Sequence, residues 1–155
     1  MLLFQFPPSF KLNQENLQRL KEGFKSLDPE LNYAVEFRHN SWFTEPEIIA
    51  LCQKFKVSFY IVSAPRIKFI PQVSCSNIYF RFHGVTKWYA YCYQEEELMY
   101  YAEIIKRLKK PSNKIWIYFN NDFSGYAPEN AKLLRRLLAG QKTEKKNKKK
   151  SSPGD

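Results

Sequence analysis

Several things are scarce in this chain of 155 residues, and each scarcity removes a class of protein. Only three cysteines are present, Cys52, Cys75 and Cys92, with no C-x-x-C pair, which argues against a disulfide framework and a zinc site. Two histidines, His39 and His83, are too few for a histidine-rich metal centre. The five glycines form neither G-x-G-x-x-G, nor a phosphate-binding P-loop, nor the G-x-S-x-G of a serine hydrolase, so no nucleotide cofactor or acyl-transfer triad has a signature. We therefore expect no cofactor and no metal. No apolar run approaches the ~18 residues of a membrane span. Met1 to Phe6 is apolar but ends at Pro7-Pro8, without the basic start and cleavage site of a signal peptide. The expectation is a soluble cytoplasmic protein without a membrane partner.

What is abundant is aromatic and basic. Aromatics make up 17% of the residues, and 25 Lys and Arg face 15 Asp and Glu, a net charge of +10. Such a composition supports one ordinary hydrophobic core. The charge is uneven. Residues 141–155 carry six lysines against one Glu and one Asp and have no hydrophobe to bury, so they read as a disordered lysine-rich tail. That tail offers at most a weak nucleic-acid contact. Residues 1–140 form the folded domain.

Five short runs read as strands: Leu2–Phe6, Tyr33–Phe37, Ser58–Val62, Ile78–Phe82 and Ile115–Phe119. Helical periodicity fills the gaps between most of them. Leu17, Leu20, Phe24 and Leu27 mark a helix over 13–27. Thr44-Glu45-Pro46-Glu47 has capping-box spacing, with Thr44 as the N-cap. A third helix is expected over 95–110, acidic at its start and basic at its end. A fourth covers 128–139, with Gly140 as its C-cap. Residues 63–77, with two prolines and little period, read as a loop. Strands alternating with helices predict one parallel sheet in sequential order.

The strands share a second feature: their polar residues collect at the carboxyl end. A period of two puts Tyr33, Val35 and Phe37 on one face, with Ala34, Glu36 and Arg38 on the other. It likewise separates Ile78, Phe80 and Phe82 from Tyr79, Arg81 and His83, and Ile115, Ile117 and Phe119 from Trp116, Tyr118, Asn120 and Asp122. Gln5 joins from the first strand. In parallel α/β proteins ligands bind at the carboxyl ends of strands. Glu36, His83 and Asp122 are therefore the candidates for proton transfer. Gln5, Arg38, Arg81, Asn120 and Asn121 are candidates for substrate binding, the arginines holding an anion. Trp42, Trp88 and Tyr89, with Tyr91 and Tyr93 beyond them, supply aromatic surface at the rim. Plainer roles compete: a structural Glu36–Arg81 ion pair, a loop hydrogen bond for His83, an Asx turn at 120–122, and a cap at His39 and Asn40.

The segments LLFQFPPSF (2–10), YAVEFRHNSWF (33–43), YFRFHG (79–84), WYAYCY (88–93) and IYFNNDFSGYAPENA (117–131) together resemble the YecE-like family, domain of unknown function 72. The resemblance covers about 2–138 and implies a TIM-barrel-type fold without naming a reaction. Family members are longer, carrying three further strands at the N-terminal side. Asn40 stands where the family's motif usually has proline. The resemblance thus implies an α/β partial TIM (β/α)8-type barrel, its five parallel strands corresponding to strands four to eight, with helices outside. Three readings of function follow. One is a small-molecule site for an anionic or sugar-like substrate, with hydrolase- or lyase-type chemistry. A second is nucleic-acid binding through the basic surface and aromatic cluster. The third is a truncated or split barrel needing a complementary N-terminal fragment or a homo-oligomer.

Overall fold

In the computed structural model, described here over residues 1–141, the chain runs β1 (Leu2–Phe6), α1 (Gln14–Lys25), β2 (Tyr33–Phe37), a 3-10 helix (Asn40–Phe43), α2 (Pro46–Lys54), β3 (Ser58–Phe59), β4 (Ile61–Ser63), β5 (Asn77–Phe82), α3 (Glu95–Leu108), β6 (Lys114–Phe119), a short 3-10 helix (Phe123–Gly125) and α4 (Tyr126–Leu138). The expected tail lies outside these residues, apart from Gln141. No helix among the described residues is long and apolar enough to cross a membrane.

Every strand pair is parallel, and neighbours follow chain order. The expected single sheet of five strands is nevertheless two sheets of three, β1-β2-β3 and β4-β5-β6. The break falls at Tyr60, inside the run expected as one strand. Ser58 and Phe59 pair with β2, whereas Ile61 to Ser63 pair with β5, so the segment changes neighbour at Tyr60. Tyr60 spans the break: its N–H donates to Val35 C=O, and its hydroxyl donates to Phe37 C=O. Burial holds the Tyr60 hydroxyl far above its usual pKa, so this donor is permanent. The described strands do not close into a barrel; β1 and β6 each have one neighbour.

One core lies under β1-β2-β3, the other under β4-β5-β6. The first is braced by four stacked rings, Phe6, Phe10, Trp42 and Phe37, with centroids 4.4–5.3 Å apart around the ring. Such pairs contribute ~0.5–1.5 kcal/mol each beyond their burial. Trp42 is 1% exposed and its Nε1–H donates to Phe10 C=O at 2.6 Å. It is a core anchor, not the rim residue expected, because the turn after β2 folds its ring under the sheet. The second core takes Ile78, Phe80 and Phe82 of β5 onto Leu98, Tyr101, Ala102 and Ile105 of α3 and Leu134 of α4.

The helices start near where the sequence suggests, with two departures: α4 begins at Tyr126, two residues before the expected Pro128, and the cap of α2 shifts. Asn13 caps α1 by accepting from Asn16 N–H at 2.7 Å. Gln94 and Glu97 form a capping box on α3. For α2 the expected cap fails: Glu45 is the N-cap, with Pro46 at the first helical turn. Thr44 instead ends the preceding 3-10 helix, its hydroxyl donating to Ser41 C=O. The 3-10 helix claims Thr44 before α2 can use it. Residues 63–77 outside β4 and β5 are irregular, as expected. At the far end, Ala139 is the C-cap of α4 and Gly140 follows it at φ +72°.

Candidate active site

The register places Gln5 beside Glu36 on adjacent strands. Arg81 comes from β5, and His83 lies just past its end, held by His83 N–H donating to Ser63 C=O at 2.8 Å. Glu36 is fully buried. Its Oε1 lies 3.2 Å from Arg38 Nε and 3.6 Å from His83 Nε2, and its Oε2 lies 3.8 Å from Arg81 Nη1. One carboxylate thus faces two guanidinium groups and an imidazole. Burial pushes its pKa up, but the approach of the His83 ring and the charges of His83, Arg81 and Arg38 reverse this, leaving it below its usual value. Glu36 is a fixed anion at neutral pH.

Each cation has its own supports. With the Gln5 amide oriented to suit its neighbours, its carbonyl accepts from Arg38 Nε at 3.3 Å and Nη2 at 2.9 Å. Arg38 Nη1 donates to Tyr89 Oη at 3.3 Å, and its guanidinium lies 6.0 Å from the centre of the Trp88 ring. Arg81 Nη1 donates to Tyr79 Oη at 3.1 Å. His83 Nδ1 lies 3.2 Å from Asn120 Nδ2. If that amide donates, Nδ1 is the acceptor and the ring proton sits on Nε2, towards Glu36. Trp88 and Tyr89 cover the His83 ring, at 5.1 and 5.7 Å between centroids. Three buried polar atoms here have no hydrogen-bond partner among the described residues: Glu36 Oε2, Arg81 Nε and His83 Nε2.

The loop that carries His83 onward depends on Gly84. Its φ is +120°, and a Cβ there would lie 2.2 Å from Lys87 C=O and 2.7 Å from Tyr91 Cβ. Gly84 N–H donates to Tyr93 Oη at 2.8 Å, and Tyr93 Oη donates to Ser63 Oγ at 2.8 Å. This buried network sets the course of 84–93 and hence the position of Trp88 and Tyr89.

Six expected residues converge: Gln5, Glu36, Arg38, Arg81, His83 and Asn120, with Trp88 and Tyr89 above them. Three do not join. Trp42 is in the core. Asn121 is buried and clasps loop to helix, its Nδ2 donating to Tyr91 C=O at 2.6 Å and to Asn130 Oδ1 at 2.8 Å. Asp122 is exposed at the start of the 3-10 helix 123–125 and makes no contact with Glu36, Arg38, Arg81 or His83 among the described residues. Tyr93 is likewise interior. His39 and Asn40 take the cap and loop roles foreseen for them, His39 Nδ1 accepting from Ser41 N–H at 3.2 Å. Arg66 went unnoticed in the sequence, yet it lines the cleft of about 700 Å³ beside Arg38, Trp88 and Tyr89. Among the described residues no three His, Cys, Asp or Glu side chains gather as metal ligands.

The family described as "Protein of unknown function DUF72" matches residues 1–154. The chain belongs to the DUF72 family. Its relatives include the UPF0759 protein YunF of Bacillus subtilis, 30% identical over an alignment 162 positions long, gaps included, which covers 89% of this chain and 57% of that protein. A DUF72 family protein of Thermotoga maritima has a crystal structure that superposes with a TM-score of 0.80 at 31% identity, over 88% of this chain and 56% of that one. A DUF72 family protein of Enterococcus faecalis superposes with a TM-score of 0.76 at 26% identity, over 92% and 59%. The chain therefore spans less than three-fifths of the length of these relatives.

Proposed function

We propose that this member of the DUF72 family binds and transforms a small anionic or sugar-like molecule at the carboxyl ends of its strands, by hydrolase- or lyase-type chemistry. The observation that carries the reading is Glu36, fully buried and facing Arg38, Arg81 and His83 with hydrogen-bonding capacity left over. Burying such a group of charges costs more than an apolar core would, so stability alone does not account for it. Glu36 orients His83 and offsets its charge when it takes a proton. His83 is the proton-transfer group through Nδ1, the Asn120 amide turning its oxygen to that nitrogen when the ring takes a proton. Arg81 holds the anionic part of the substrate, and Asn120 sets the tautomer of His83. Asp122 is not needed. A screen of phosphate esters, sugar acids and glycosides tests this. A turned-over substrate should lose conversion in His83→Ala and Arg81→Met, with the melting transition retained. Unchanged turnover in both would remove the catalytic roles.

A second reading concerns the open edges of the two sheets. Six parallel segments in chain order, the middle two forming one broken strand, match five strands of a TIM-type barrel, which needs eight. The open edges of β1 and β6, with Leu2 52% and Tyr118 42% exposed, favour it, as do the longer relatives. Three further strands would then come from a complementary polypeptide, or the edges would meet in a homo-oligomer. Light scattering on the purified chain decides: association above the monomer mass supports this reading, and a cooperatively melting monomer opposes it. Nucleic-acid binding ranks lower. Lys21, Lys25 and Lys106 each lie within 3.0 Å of a glutamate, which breaks up a basic stripe on the helices.

A further inference from the structure

The cleft of about 700 Å³ beside the Glu36 cluster is walled by Arg38, His39 and Asn40 after β2, Arg66 after β4, and Trp88 and Tyr89 after β5. No carboxylate lines it. Two of its walls hold unfavourable backbone. Pro65 and Arg66 are the central pair of a turn closed by Ile67 N–H donating to Ala64 C=O at 3.3 Å, and Arg66 has φ +64°. A positive φ at that second position normally calls for Gly or Asn. Tyr89 has φ +63° at the centre of a three-residue turn closed by Ala90 N–H donating to Trp88 C=O at 2.8 Å. That is a rare geometry for any residue with a side chain. Asn40 fixes the first turn, its Nδ2 donating to Arg66 C=O at 2.8 Å.

These backbones are poor choices for stability, and both side chains belong to one cleft. Arg66 is exposed, and its guanidinium makes no hydrogen bond or ion pair among the described residues, whereas Arg38 is taken up by Glu36, Gln5 and Tyr89. Trp88 is half-buried and offers a flat face at the same cleft. We infer that this cleft is a subsite for a ring-bearing phosphate monoester, its phosphate on Arg66 and its ring against Trp88. A guanidinium supplies the paired donors that phosphate oxygens accept, and an indole supplies the surface that a sugar or base covers. The inference rests on the small-molecule reading above and names the ligand class of its outer half.

Isothermal titration of the full chain with phenylphosphonate, and with methylphosphonate as a ringless control, tests it. The wild-type chain should bind phenylphosphonate about fivefold more tightly than methylphosphonate. Arg66→Gly should weaken both by about tenfold or more. Because glycine suits φ +64°, the same variant should melt no lower than wild type, which separates a ligand role from a structural one. Trp88→Ala should erase the preference for the phenyl ring. AMP and glucose 6-phosphate then distinguish a base-bearing from a sugar-only source. Equal binding by Arg66→Gly and wild type, equal binding of the two phosphonates, or no binding of either overturns the inference. Arg81→Met separates it from the inner-site reading. Binding lost in Arg81→Met but kept in Arg66→Gly puts the anion on the inner cluster and removes the subsite. The converse keeps the subsite and removes Arg81 as the anion anchor.

Discussion

β2 and β6 are built from similar residues, YAVEF and KIWIYF, yet every residue of β2 is buried, whereas β6 ranges from half-buried to exposed. Composition does not make that difference; neighbours do. β2 has β1 on one side and β3 on the other, and its two faces meet the helices and the Glu36 cluster. β6 has only β5, and its inner-face Tyr118 meets Tyr79 at 5.2 Å and otherwise stands open. β6 therefore stands at an open edge among the described residues, and so does β1. The central strands carry both the stability and the polar site, while the edges carry unspent apolar surface.

Substitution at the centre should be far costlier than at the edges. Gly84→Ala should have the largest effect: a Cβ 2.2 Å from a backbone carbonyl forces the loop 84–93 to move, so soluble yield and the melting transition should both collapse. Trp42→Ala, in the ring stack under β2, should lower stability by about 3–5 kcal/mol in urea denaturation. At the edges, Leu2→Thr and Tyr118→Thr should each cost under ~1 kcal/mol in the same assay. Tyr118→Lys should also reduce self-association by light scattering, because an edge lysine discourages strand pairing. Edge substitutions as costly as Trp42→Ala would erase the distinction drawn between the two regions.

The two regions should also differ in their response to acid. Glu36 has a folded pKa below its ordinary 4.5. Its contribution is complete above that value and is lost as pH falls through the folded value. Denaturation midpoints should therefore drop below about pH 4.5, and Glu36→Gln should flatten that drop. A smaller change is expected in alkali. The hydrogen bond to Glu97 raises the Tyr91 hydroxyl to about 12, so its share of stability should hold below its ordinary 10.0 and fade as pH rises towards 12. Ultraviolet difference absorption of wild type against Tyr91→Phe follows it.

The parallel strands were legible because each is a short apolar run bounded by turn formers, and four of the five begin and end within a residue of their expected places. The alternation that separates Glu36 and Arg38 from Val35 and Phe37 also held, which is why six of the site residues were foreseen. The break at Tyr60 was not legible: SFYIVS is uniformly strand-forming, and a change of neighbour leaves no mark on composition. Trp42 was misplaced because an aromatic after a strand reads as rim when the turn that tucks it inward is unknown. Asp122 was expected by continuing the alternation of β6, but the chain leaves the strand at Phe119 and turns into the 3-10 helix 123–125, so the period of two holds for Asn120 and no longer for Asp122; Asn121 never shared that face. Arg66 was not foreseen because what singles it out is a backbone angle, φ +64°, that its residue type disfavours.

On the proposed function, the Glu36 cluster is held for a ligand and not for the fold. Urea denaturation of the triple variant Glu36→Leu, Arg38→Met, Arg81→Met tests it without knowledge of the substrate. Replacing a whole buried ionic group by apolar side chains of similar volume is often neutral or stabilising by about 1–4 kcal/mol. The expected result is a midpoint at or above that of the wild-type chain at neutral pH, with the drop below pH 4.5 gone. A midpoint as low as that of Trp42→Ala would contradict the claim and make the cluster a structural device of the sheet.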